Sequence, residues 1–272
     1  MDDEESGAGC AAWAWLPTCT RRCQRCRACK RCCGGLRRQP LDARDHTWAR
    51  ALPHEVPRAY TLPNMPAALD QGPLAACAVN ACANALAMCM EKRGFPSFRA
   101  SRMFLYYNAR VHIMKVASRD TGCNLRDVCK AACKYGVCEE KMWPYSPELL
   151  KKPPPSHLYH AAKRLPAFQY KSVPQTVRGI VSCLLHGHPV LLGISLYKGV
   201  HDVARTGVLA MPRVGEPELG RHAVMLCGYD MGATTFKAQN CWGASWGDRG
   251  SFNIPFAYVL HPSLCWDFWV VV

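Results

Sequence analysis

Apolar positions recur along this chain with two different periods, and the point where one gives way to the other divides it. After Cys77 the sequence turns alanine-rich, with Leu86 and Met88, and runs without a break to Gly94 and Pro96, which predicts one buried helix. Helical spacing predicts a second helix over 98–111. A third is predicted over 124–135, where Leu125, Val128, Ala131 and Ala132 share a face and Gly136 supplies the stop. Val177, Ile180, Val181, Leu184 and Leu185 form a fourth helical face, closed by Gly187 and Pro189. Beyond it the period shortens. Segments 189–196, 222–229, 235–241, 250–254 and 266–272 are short apolar or alternating runs between Gly, Asp and Pro turns, the pattern of antiparallel strands. Helices first and sheet second predict an α+β domain with a cleft between its halves.

The flanks read differently. From Thr20 to Arg38 arginine, lysine and cysteine alternate with almost nothing apolar, so residues 1–40 are expected to be a mobile basic tail and 41–272 the folded domain. Four prolines, Pro53, Pro57, Pro63 and Pro66, suit an extended strap over 41–66. Segment 74–90 is the longest apolar candidate for a membrane span, but Asn80 and Asn84 interrupt it, and it fits a buried helix better.

With 272 residues, 49% hydrophobic and 20% charged, the chain has enough apolar surface for a large core, which excludes wholesale disorder. Its net charge of +14 favours acidic partners at encounter, and most of that charge lies outside the tail. Of 18 cysteines, seven crowd the tail at Cys10, Cys19, Cys23, Cys26, Cys29, Cys32 and Cys33. The chain opens Met-Asp-Asp-Glu-Glu, and the apolar patch at 11–16 is too short for a signal core, so the expected location is cytoplasmic, with peripheral membrane or virion association left open.

Three segments carry the chemistry: DQGPLAAC ending at Cys77, GRHAVMLCGYD around His222 and QNCWGASWGDRG around Asn240. Alone, a cysteine in an Ala-rich helix is a buried filler and a histidine on an apolar strand is a core residue. Together they offer a nucleophile, a base and an amide to orient the base, the set that thiol-based acyl transfer needs. A thiol at a helix N-terminus beside an imidazolium is favoured as thiolate, and His222 can then protonate the leaving amine. Asn240 can fix the imidazole tautomer, with Trp242 roofing that bond. Gln71 can offer its amide, beside the Cys77 backbone N–H, to the oxyanion of a tetrahedral intermediate.

These segments resemble the papain-like cysteine peptidases of clan CA, in order, over most of 41–272. DQGPLAAC is similar to that family's DQG-x-x-[GS]-S-C stretch, GRHAVMLCGYD to its G-x-HAV-x-x-x-GY strand, and QNCWGASWGDRGSF to its N-S-W-G-x-x-WG-x-x-GY-F loop. KYGVCEEKMWPY, ending at Tyr145, resembles the approach to its Y-P-Y element. The resemblance implies a two-lobed fold, a helical N-terminal lobe facing an antiparallel β-barrel-like lobe across the active-site cleft. It also implies Gln71, Cys77, His222 and Asn240 as catalytic positions, Trp242 as the shielding indole, a polypeptide substrate and no cofactor. The chain departs from the pattern at Leu74, where secreted members carry a disulfide cysteine, and at Ala75, Ala76 and Ala78 around the nucleophile. The roughly 70 residues ahead of Gln71 lack the long charged helical pattern of an inhibitory propeptide.

Other cysteines (Cys82, Cys89, Cys123, Cys129, Cys133, Cys138, Cys183, Cys227, Cys241, Cys265) read as apolar filler. In the tail, Cys23, Cys26, Cys29 and Cys33 have the C-x2-C-x2-C-x3-C spacing of a metal or iron–sulfur run, but arginines fill the gaps. Metal binding, acylation beside a basic patch, and a basic tail attracted to nucleic acid or anionic membrane all remain open there. A second function class fits the same residues: an inactive module that keeps the fold and holds a partner through cleft and tail.

Overall fold

In the structure, a computed structural model that describes residues 36–40, 42–116 and 119–272, helices do give way to strands where the apolar period changes. Helix α1 (Cys77–Lys92) buries fourteen of its 16 residues, so it is a central helix packed on all sides and not an amphipathic surface one. Its two buried asparagines are paired: Asn80 Nδ2 donates to Ala76 O at 2.8 Å, and Asn84 Nδ2 donates to Gln239 Oε1 at 2.8 Å. Helix α2 (Arg102–Tyr107) starts later than its apolar pattern suggests, because Ala100 pairs with Glu139 in a β-bridge and Ser101 is extended, capping Phe104 N–H with its hydroxyl. It continues as a π-helical turn, Asn108–Ile113.

Helix α3 (Leu125–Tyr135) ends at Gly136, as the pattern requires. Gly136 has φ +73°, and a Cβ there would stand 2.9 Å from Ala162 O in α4 (Ser156–Lys163), so both backbone angle and packing demand glycine. Helix α4, embedded in a Pro- and Lys-rich stretch, buries only Leu158 and Ala162 and left little periodicity to detect. Helix α5 (Val177–Leu185) is capped by Thr176.

The strands are β1 (Ala59–Thr61), β2 (Tyr170–Ser172), β3 (Val190–Leu196), β4 (Gly220–Asp230), β5 (Thr235–Gln239), β6 (Ser251–Pro255) and β7 (Cys265–Val271). They form one antiparallel sheet in the order β2-β7-β3-β4-β5-β6, with β1 on β4, and this sheet is open and not closed into a barrel. Strand β3 is buried throughout and central, and α1 packs against β3, β4 and β7. Two short helices, α6 (Val203–Thr206) and α7 (Phe256–Leu260), fill the connections. The two-lobed α+β arrangement is therefore present, with α1 at the boundary between helices and sheet.

The proline-rich strap runs along the sheet. Trp48 N–H bonds Ser172 O, its indole N–H bonds Ser182 Oγ, and Leu62 N–H bonds Cys227 O. Residues 36–40 are packed too: Leu36 is buried beside Gly193, Arg37 N–H bonds Asn124 Oδ1 and Gln39 N–H bonds the Asp267 carboxylate. Cys23, Cys26, Cys29 and Cys33, and with them the metal, acylation, nucleic-acid and membrane expectations for the tail, lie outside the described residues. Among the described residues no helix is long and apolar enough to cross a membrane, and no disulfide forms.

Candidate active site

Cys77 is the first residue of α1 and is 5% exposed. The helix opens with no side-chain cap and no acidic residue in its first turn, so the partial positive charge of its N-terminus falls on this thiol undiminished by a local carboxylate on the helix. The preceding loop is pinned from outside. Both Asp120 carboxylate oxygens accept from Ala75 N–H at 3.1 Å, and Tyr106 OH donates to Asp120 Oδ1 at 2.6 Å. Ala76 and Ala78 are 0% and 1% exposed, so these alanines are packing residues in a tight interior, where a larger side chain would have to displace neighbours.

His222 enters from β4, opposite Ile194 of β3, and is 1% exposed. Strand pairing of Met225 with Gln239 brings the residue just past β5, Asn240, alongside it. His222 Nε2 and Asn240 Oδ1 lie 2.7 Å apart, and the same Oδ1 accepts from Cys241 N–H at 2.7 Å. A backbone N–H can only donate, so the Cys241 contact identifies that atom as the oxygen, and Nε2 must then carry a hydrogen. Nδ1 is left as the proton-accepting nitrogen; it is buried and makes no hydrogen bond among the described residues. Burial pushes the imidazole down to about 4, and the Asn240 bond works in the opposite direction. Trp242 lies over the ring with centroids 4.7 Å apart, and Trp246 meets Trp242 edge-on at 5.1 Å. The indole thus covers the His222–Asn240 pair from one side.

Gln71 is 2% exposed and held through both its backbone and its side chain. Its backbone N–H bonds Cys241 O, its carbonyl accepts from Tyr145 OH at 2.8 Å, its Nε2 donates to Leu74 O at 2.8 Å, and its Oε1 accepts from Cys241 Sγ at 3.1 Å. Arg102 braces this loop against α1, donating to Asp70 O and Asn80 Oδ1 while held by Glu140. Cys241 Sγ also lies 3.9 Å from His222 Nε2, so Gln71, His222, Asn240 and Trp242 share one neighbourhood.

Four contributors escaped the sequence. Asp120 and Arg102 sit in stretches with no local signal for a role near Cys77, and Tyr145, at the end of the KYGVCEEKMWPY run, carried a resemblance but no role in the site. Cys241 lies inside the QNCWG segment, but reading it as apolar filler missed its polar contacts; its position between Asn240 and Trp242 was the available clue. Among the described residues no group of three His, Cys, Asp or Glu side chains is arranged to hold a metal ion.

A family model described as papain family cysteine protease matches residues 112–258, a span that includes His222 and Asn240 but begins after Cys77. An uncharacterized peptidase C1-like protein of Acanthamoeba polyphaga mimivirus is 34% identical over 228 residues, covering 80% of this chain and 73% of that protein. Among solved structures, xylellain, a cysteine protease from Xylella fastidiosa, superimposes with a TM-score of 0.79 at 28% identity, over 89% of this chain and 96% of xylellain. Procathepsin B S9 from Trypanosoma congolense shares the fold, with a TM-score of 0.59 at 16% identity over 84% and 85% of the two chains.

Proposed function

The chain belongs to the papain family of cysteine proteases and is a cysteine peptidase; from that premise we propose that it cleaves peptide bonds through an acyl-enzyme on Cys77, with His222 as the acid–base. His222 Nδ1 takes the thiol proton as the sulfur attacks the scissile carbonyl, and returns it to the leaving amine as the C–N bond breaks. Asn240 keeps Nε2 engaged throughout, so the ring presents Nδ1 in a fixed direction. Gln71 has one Nε2 hydrogen spent on Leu74 O and the other to offer the oxyanion, beside the Cys77 backbone N–H at the open start of α1. Water then attacks the thioester carbonyl as His222 removes its proton, the C–S bond breaks to release the acid product, and the proton returns from His222 to the Cys77 sulfur.

The observation that carries this reading is the 2.7 Å contact between His222 Nε2 and Asn240 Oδ1, with each atom's role fixed by Cys241 N–H. Burial favours the neutral imidazole, the form that accepts a proton, while the Asn240 bond works in the opposite direction. Incubating the purified chain with a broad peptide library and a thiol-reactive epoxide tests it. Cleavage, and labelling confined to Cys77 among the site residues, are expected; absence of both sinks the proposal. A chain that only held a partner would keep its effect in a Cys77→Ala variant, whereas hydrolysis is lost.

A further inference from the structure

We propose that Cys241 is a positioning residue that aims the Gln71 amide at the oxyanion, an inference that rests on the assignment of the site given above. Gln71 Nε2 is identified by its bond to Leu74 O, since a carbonyl can only accept, and this leaves Oε1 at the opposite end of the amide. The group that meets Oε1 is the Cys241 thiol, at 3.1 Å. The backbone bonds of Gln71, to Cys241 O and from Tyr145 OH, hold its main chain, and among the described residues Leu74 O and Cys241 Sγ are the hydrogen-bond partners of its side-chain amide. Two tethers on opposite ends of one planar amide fix its plane; one tether permits rotation about the remaining bond.

The Cys241 thiol is suited to that task. It is 3% exposed, and burial raises it well above the ordinary thiol range, so it keeps the S–H it needs as a donor. It acts on Gln71 and not on His222, because the Nε2 hydrogen is already spent on Asn240 and the sulfur stands 3.9 Å away. Meanwhile the Cys241 N–H holds Asn240 Oδ1. One residue therefore sets the oxyanion donor through its side chain and the imidazole's partner through its backbone, and a side-chain substitution separates the two.

The test compares wild type with Cys241→Ala and Cys241→Ser. The alanine variant is expected to lose about tenfold in kcat with KM within about twofold, since the interaction strengthens only in the tetrahedral state. A peptide aldehyde of the cleaved sequence, whose adduct places an oxygen at the same donors, should weaken by a similar factor. Alkylation of Cys77 by iodoacetamide, followed on the Cys77 peptide by mass spectrometry, forms no oxyanion, and its rate and pH profile should not move. Serine, which restores a donor to Oε1, should restore most of kcat. If alanine does not fold, Cys241→Val fills the volume without a donor and is expected to show the same kcat and aldehyde losses. Unchanged kcat in the variant lacking a donor, a parallel fall in alkylation, or failure of serine to rescue would overturn the role. A wild type that neither turns over nor alkylates at Cys77 overturns the site assignment and this proposal with it; an active wild type indifferent to Cys241→Ala overturns this proposal alone.

Discussion

Replacing Asn240 with alanine perturbs the site at the atom that serves two donors. Oδ1 accepts from His222 Nε2 and from Cys241 N–H, each at 2.7 Å, and the three residues are between 1% and 4% exposed. Alanine leaves two buried N–H groups without an acceptor, and at ~1–3 kcal/mol for each orphaned donor the native state should lose about 2–6 kcal/mol. Entry of a water into the vacated space brings the loss to the lower end of that range; Trp242, 4.7 Å over the imidazole, restricts that entry. The catalytic effect has a separate origin. As His222 becomes imidazolium its bond to Asn240 becomes charge-assisted, and losing an interaction of ~1.5–3 kcal/mol corresponds to about 10- to 150-fold in kcat/KM. Asn240→Asp keeps the acceptor and should fall less. Urea denaturation gives the stability change, and kcat/KM, corrected for the folded fraction at the assay temperature, gives the catalytic one. A folded alanine variant within about twofold of wild type would refute the claim that Asn240 orients His222.

Gln71→Ala removes a donor to the oxyanion and should lower kcat by about 10²–10³ with little change in Cys77 alkylation; an equal fall in both would place Gln71 in the packing and not in the chemistry. Asp267, which accepts Gln39 N–H, is raised from 3.8 to about 6, first by burial. Its folded form binds the proton more tightly than the unfolded form, so the stability it contributes is complete below about pH 4 and is lost as pH rises through about 6. The whole swing is about 3 kcal/mol at most, and Asp267→Asn should flatten it in denaturation curves taken between pH 4 and 7; identical pH dependence in variant and wild type contradicts it. Gly136→Ala should destabilise the fold by about 1–3 kcal/mol, because φ is +73° and the new methyl meets Ala162 O; a neutral thermal shift would show that this turn relaxes at no cost.

The sequence by itself determined the elements whose signals are local. An alanine-rich run ending at Gly94 specifies α1, Gly136 ends α3, and the switch to short alternating runs specifies β3 to β7, because helix and strand periods and glycine's left-handed φ are properties of neighbouring residues. It also gave a candidate trio, since Cys77, His222 and Asn240 lie in segments whose residue types suit one chemistry. Tertiary structure alone decided how residues 145 positions apart in sequence are set around each other: α1 packs on β3, β4 and β7, and β4–β5 pairing carries Asn240 to His222. It decided that the sheet stays open, that α2 starts after a bridge between Ala100 and Glu139, and that Asp120 holds the loop before the nucleophile. It also made Cys241 a hydrogen-bonding residue where its composition suggested filler. Each of these depends on burial and on partners distant in the chain. A donor's worth, a tautomer or a raised pKa is set by what surrounds the group after water has been removed, and no window of neighbouring residues contains that information.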